Sequence, residues 1–199
     1  MALTASHCVP DDITGLSLHY PWRQEFRIVT EVERHPTADL AILRTRLDEH
    51  DTTRSDGDAF RGISGSWNRG DEFRALGFPV EGPSDTPGEP VPRLFVGHFQ
   101  RFFTFDGLSG YRFFAGEMSI PAPSGLSGGP VYPPGDDGLV TAIVSTNMES
   151  YSIIDSYEER VSGEVVERGE IRRQIAYGVC VLLSEVSRWI DERVPPPGI

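Results

Sequence analysis

Lysine is absent from the 199 residues, and all 18 basic side chains are arginine. That excludes a Ser–Lys dyad, and arginine cannot replace the lysine because its pKa is too high for a general base. Basic residues are outnumbered by 30 acidic ones, for a formal net charge of −12. A surface of that sign repels phosphate, which argues against nonspecific binding to nucleic acid or to an anionic membrane. Long apolar runs are missing too. None approaches the roughly 18 residues of a membrane helix, so no membrane partner and a soluble protein are expected. Cysteine is scarce: Cys8 and Cys180 are the only two, and they leave the redox compartment open. His19, His35, His50 and His98 have no metal-ligand spacing with either cysteine, so no zinc site and no cofactor are expected.

What is present suits a β protein. Hydrophobic content is 38%, with 16 prolines and 21 glycines, as fits many short strands joined by turns. The length allows one compact unit or two small barrels. Residues 26–33 alternate as a half-buried strand, Phe26, Ile28 and Val32 against Arg27, Thr30 and Glu33. A short buried strand follows at 40–43. The stretch 48–65, with Asp48, Glu49, Asp51, Asp56 and Asp58, reads as a linker. Residues 73–78 open the second half and stop at Pro79, while Pro83, Pro87, Pro90 and Pro92 mark a loop. An aromatic-rich strand spans 94–105, and Phe102, Phe103, Phe105, Phe113 and Phe114 are expected in the core. The polar, charge-mixed stretch 148–174 reads as a solvated surface excursion or as a lid. A helix is expected over 184–193, with Ser184 as N-cap and Val186, Trp189 and Ile190 at helical spacing.

Three segments carry chemistry. At 124–130 the chain reads SGLSGGP, placing Ser127 in a glycine frame. A tight turn there lets the amides of Gly125 and Ser127 point at one spot beside Ser127 Oγ, the layout of a nucleophile with its own oxyanion hole. Alone, such a cluster is also an ordinary turn signal. The segment TASHCV at 4–9 offers His7, and HPTADLAIL at 35–43 offers Asp39 opening an apolar strand. A serine nucleophile needs a base, and the base needs a carboxylate to fix its tautomer. His35 belongs to the segment that places the aspartate, which leaves His7 as the base. The chain order His7, Asp39, Ser127 disfavours an α/β-hydrolase, where the serine comes first.

On these three boxes the chain resembles the trypsin/chymotrypsin-like serine peptidases of bacterial type. TAIVS at 141–145 resembles the strand that supports the buried aspartate and lines the primary pocket. YGVCV at 177–181, with Trp189 and Ile190, resembles the last strand and C-terminal helix. The resemblance implies an all-β fold of two antiparallel Greek-key barrels. Residues 1–60 would form an incomplete first barrel with His7 and Asp39, and 61–199 a second with Ser127 and the helix. It implies a serine endopeptidase acting on a polypeptide, in which Ser127 attacks, His7 moves the proton and Asp39 orients His7. Gly125 and Ser127 would bind the oxyanion, Ser145 would donate to Asp39, and Pro121, Ser145, Asn147 and Gly178 would meet the substrate. Pro121 stands where trypsin carries an acid, so an uncharged, small-to-medium side chain is expected in the pocket. Leu126 replaces the aspartate that binds a newly cut N-terminus in animal enzymes, so that mode of activation is not expected. The family places two or more strands ahead of the histidine, whereas His7 has six residues before it; a start assigned too far downstream is the favoured reason, ahead of a genuine fragment or a gap filled by another segment or partner. Cys8 and Cys180 are expected to be buried, unpaired thiols. Two rival readings share the same residues: a non-catalytic domain that grips a peptide strand by edge pairing, and an esterase.

Overall fold

The computed structural model describes residues 1–20, 25–46, 66–79, 91–107, 110–136, 138–161 and 164–194. The linker expected at 48–65 and most of the proline loop lie outside them. Among the described residues the chain is mostly strand, in two antiparallel units. The first is an open sheet of β1 (Ala2–Thr4), β2 (Ser17–Tyr20), β3 (Glu25–Arg34) and β4 (Ala41–Thr45), in the order β1-β4-β3-β2. Its small core is Val9, Val29, Ala41 and Leu43. The alternation expected in β3 needs correction. Phe26 and Ile28 are 67% and 61% exposed, and Val29 takes the core position. A register break between Val29 and Glu31 inserts an extra residue, so Val29 and Val32 share a face although they are three apart.

The second unit is a closed barrel of β5 (Glu72–Gly77), β6 (Arg93–Asp106), β7 (Arg112–Met118), β8 (Pro130–Tyr132), β9 (Ala142–Val161) and β10 (Glu164–Leu182), in the order β10-β7-β6-β5-β8-β9. Alternation in β5 sends Phe73 and Ala75 inward, where Phe73 meets Phe99 at 5.0 Å between ring centroids. Both rings are fully buried, and each contributes roughly 2–3 kcal/mol of burial. Of the five phenylalanines expected inside, Phe113 is buried and Phe102, Phe103 and Phe105 are partly so. Phe114 is exposed: it follows Phe113 on the same strand, and a strand turns successive side chains to opposite faces.

The stretch 148–174 is no loop. Strands β9 and β10 run on together past the barrel as a ribbon, pairing from Leu182↔Ala142 to Glu164↔Val161. Tyr151, Ile153, Ile154, Tyr157 and Ile171 are exposed on it. Residues 149–157 and 170–174 are exposed on both faces of this ribbon, so the apolar/polar alternation that marks a half-buried strand is missing there.

The C-terminal helix starts later than its spacing suggests. A 3-10 turn at Leu183–Val186 precedes α1 (Ser187–Asp191), and Ser184 caps neither. Leu183 and Val186 are both buried, and a 3-10 turn keeps residues three apart on one side. Together with Ile190 they join a core shared by Ala38 and Leu40 of the first unit and Ile143, Val179 and Val181 of the barrel. Arg193 lies 4.9 Å over the Trp189 ring and donates to Glu33 of β3, fastening the helix to the sheet.

Candidate active site

His7 sits in a 3-10 turn, Ser6–Cys8, closed by Cys8 N–H to the Ala5 carbonyl and Val9 N–H to the Ser6 carbonyl. Arg34, the last residue of β3, holds that turn from behind. Its Nη1 donates to the Ser6 carbonyl (2.6 Å) and Ser6 Oγ (3.1 Å). Its Nη2 donates to the carbonyls of Val9 (2.9 Å) and Pro10 (3.0 Å). Four acceptors shared between two nitrogens suit the forked guanidinium, which carries more donors than any other side chain. Sequence reasoning missed this residue.

Asp39 lies in a tight turn built on His35. The His35 Nδ1 accepts from the Thr37 and Ala38 amides at 3.2 and 2.8 Å, and His35 N–H donates to the Leu40 carbonyl at 2.8 Å. His35 is therefore structural, and burial, helped by the nearby Arg193 charge, pushes its pKa down, which favours the neutral ring. Arg112 N–H donates to the Thr37 carbonyl and docks the turn on β7. Asp39 itself is 2% exposed. A buried carboxylate needs partners, and it has three. Oδ1 accepts from His7 N–H at 2.9 Å, and Oδ2 accepts from His7 Nδ1 at 2.7 Å and Ser145 Oγ at 2.5 Å.

These contacts set the charges. Burial alone would push Asp39 up, but the bonds from His7 and Ser145 outweigh it and hold its carboxyl below the ordinary value of 3.8. The same bond from Nδ1 to Asp39, with a smaller contribution from Cys8 and against partial burial, raises His7 from 6.5 to about 10. With Nδ1 committed to Asp39, Nε2 is the nitrogen free to exchange a proton.

Ser127 stands on a loop tied at both ends. Leu126, fully buried in the barrel, anchors it, and its N–H donates to the Pro123 carbonyl at 2.9 Å. Gly128 N–H donates to the Val144 carbonyl, and Val144 N–H to the Gly129 carbonyl. Gly125 has φ +89°, and any Cβ there would strike the Phe78 carbonyl. Gly128, at φ +82°, packs against Thr4 and Ala5, so a side chain would push the serine loop off the histidine segment. Among the described residues the N–H groups of Gly125 and Ser127 donate to no backbone acceptor.

The serine hydroxyl is turned away from the histidine. Ser127 Oγ donates to the Ser145 carbonyl at 2.8 Å, and His7 Nε2 has Cys8 Sγ at 3.5 Å instead. Ser145 is thus the shared post, its hydroxyl on Asp39 and its carbonyl under Ser127. The expected pair of buried thiols is corrected in one half. Cys180 is buried in the barrel, but Cys8 is exposed because the turn that presents His7 presents its neighbour as well.

The pocket residues behave differently from one another. Pro121 is exposed. Gly178 N–H donates to the Ile120 carbonyl at 2.7 Å, with Met118 Sδ just beyond the hydrogen where a Cβ would be. Asn147 spends its amide on the backbone: Oδ1 accepts from Ala122 N–H at 2.6 Å and Nδ2 donates to the Ala122 carbonyl at 2.7 Å. It ties β9 to the segment leading to Ser127, so its polar atoms are engaged. A cavity of about 360 Å³ lined by Trp67, Glu72, Pro133 and Thr141, among others, shares no residue with this site. Among the described residues no group of three or more His, Cys, Asp or Glu side chains is placed to hold a metal ion, and no helix is long and apolar enough to cross a membrane.

No protein-family model matches the sequence, and no curated protein is similar to it.

Proposed function

We propose that the chain is a serine endopeptidase of the trypsin/chymotrypsin-like type, hydrolysing a polypeptide through His7, Asp39 and Ser127. The single observation that carries the reading is the buried Asp39 carboxylate, which grips His7 at two points and is itself held by Ser145. A buried charge kept for no purpose costs stability, whereas a charge that fixes an exposed imidazole makes a directed base. The barrel order β8-β5-β6-β7 is compatible with a Greek key and supports the fold half of the reading. The first sheet would then be the incomplete barrel.

In this mechanism Ser127 Oγ leaves the Ser145 carbonyl by rotation about its side chain and donates to His7 Nε2. Catalytic hydrogen bonds are often unformed until substrate is bound. Oγ attacks the scissile carbonyl as its proton passes to Nε2, and Asp39 stabilises the imidazolium from the Nδ1 side. The amides of Gly125 and Ser127 receive the oxyanion, a contribution of about 3–4 kcal/mol for such a donor. His7 then protonates the leaving amine, and water releases the acyl group from Ser127. Pro121 offers no charge partner to a substrate, which favours an uncharged, small-to-medium side chain at the cleavage point. The rival reading, a peptide-gripping domain without turnover, draws on the Ser127 hydroxyl being turned away.

Intact mass after incubation with a fluorophosphonate separates the two. A single adduct, lost in Ser127→Ala, supports the endopeptidase. No adduct on folded protein overturns it and leaves the binding domain; an adduct with ester turnover but no peptide cleavage points to the esterase.

A further inference from the structure

The partner that His7 Nε2 has is Cys8. Its Sγ lies 3.5 Å from Nε2, and both side chains are exposed. On the other side of the ring Nδ1 donates to the buried Asp39 carboxylate. Cys8 therefore has beside it an imidazole that Asp39 holds in its protonated form, and a cation next to the sulfur favours attack by the thiolate. Arg34 holds the carbonyls of Ser6 and Val9, the backbone on either side of Cys8, so the contact is built into the turn.

We propose that Cys8 is a modification site for small carbon electrophiles, its thiol activated by His7 and Asp39. The thiol proton passes to solvent, and the imidazolium that Asp39 holds beside Sγ stabilises the thiolate that attacks. With an α-haloamide such as iodoacetamide, the Sγ–C bond forms as the C–I bond breaks, iodide departs, and His7 keeps its proton. Cys180 cannot compete. It is fully buried against Gly116, and burial pushes its thiol up to about 12. A second consequence rests on the endopeptidase reading: a group on Cys8 Sγ lies against Nε2 and takes from Ser127 the base it needs.

The test treats the folded full-length chain with limiting iodoacetamide near neutral pH beside N-acetylcysteine, following each thiol by mass. An ordinary thiol is only a few per cent ionised there, so a cation 3.5 Å from the sulfur has room to speed attack, and Cys8 should react about tenfold faster than the free thiol. His7→Gln and Asp39→Asn should each return it to the free-thiol rate, with Cys180 unlabelled until the chain is denatured. A Cys8 rate no higher than that of N-acetylcysteine, or one unchanged in both variants, overturns the proposal. Fluorophosphonate capture should be lost after alkylation of the wild type and kept in alkylated Cys8→Ser; capture that persists once Cys8 is fully alkylated overturns the block on His7. The alkylation rates are read without turnover, so they stand or fall separately from the endopeptidase reading.

Discussion

Replacing Asp39 by asparagine keeps the side-chain shape and removes one buried charge. In the wild type the bond to Asp39 is the largest cause raising His7 to about 10; without it the upward pull of the Cys8 contact and the downward pull of burial are left, and His7 should titrate well below its wild-type value. At face value the interval from 6.5 to about 10 is worth roughly 5 kcal/mol. The His7 side chain is 42% exposed, however, and solvent screening reduces the coupling to about 2 kcal/mol. The pH window follows from the two shifts. The raised His7 contributes fully below 6.5 and loses its share as pH climbs through about 10. The lowered Asp39 contributes above 3.8 and loses its share as pH falls below that value. The stability difference between wild type and Asp39→Asn should therefore peak between about pH 4 and 6.5 and shrink toward pH 10. Urea unfolding across that range, with the His7 ring protons followed by NMR, reads both quantities. A wild-type His7 that titrates near 6.5, or a stability difference flat from neutral to alkaline pH, would refute the reasoning. The same shift bears on catalysis: only the neutral ring is a base, so fluorophosphonate capture should rise through the alkaline range toward about pH 10.

Ser145→Ala removes one of three donors to Asp39, and urea unfolding near neutral pH should show a loss of about 1–3 kcal/mol. The acid-unfolding midpoint should also move up, since burial of Asp39 is then less opposed; an unmoved midpoint would count against the Ser145 contact. Arg34→Lys keeps the charge but cannot reach four acceptors. We expect a loss of about 1–3 kcal/mol and weaker capture at Ser127, and full retention of both would show the turn to be self-supporting. Gly125→Ala sets a Cβ against the Phe78 carbonyl at φ +89° and tilts the amides proposed to receive the oxyanion. Capture should slow about a hundredfold in a chain whose circular dichroism is unchanged, and an unchanged rate would place the oxyanion elsewhere.

Much of this site could be read from sequence because its residues break local patterns. Asp39 is a lone acid at the mouth of an apolar run, and Ser127 is framed by glycines that a bare turn would not need in such number. The Ser145 hydroxyl was expected on Asp39, and it lies there at 2.5 Å. Other features leave no trace in composition. Arg34 is one arginine among 18, and only the three-dimensional placement of the Ser6–Cys8 turn marks it out. The rotation of Ser127 is a single torsion, and the exposure of Phe26 follows from a one-residue bulge that reverses a strand face. Asn147 was expected to meet substrate, but its amide pairs with the backbone of Ala122, a contact between residues 25 apart that no local pattern marks.

The position of Asp39 is decided by its neighbours. Ala38 and Leu40 flank it, both fully buried, and they pack with Val179, Val181, Leu183 and Ile190 of the barrel and the C-terminal segments. An aspartate between two residues driven into that shared core must follow them under the surface, where it can be ionised only if donors meet it. His7 comes from the first sheet and Ser145 from the barrel, so the carboxylate is satisfied only when the two units are docked. Docking strength and His7 basicity are therefore linked. Trimming the shared core, as in Leu40→Ala, should cost about 2–5 kcal/mol and lower the His7 pKa together, although the Leu40 side chain makes none of the polar contacts of the site. A variant that loses the stability but keeps His7 titrating near 10 would show that the Asp39 turn holds its shape without the barrel.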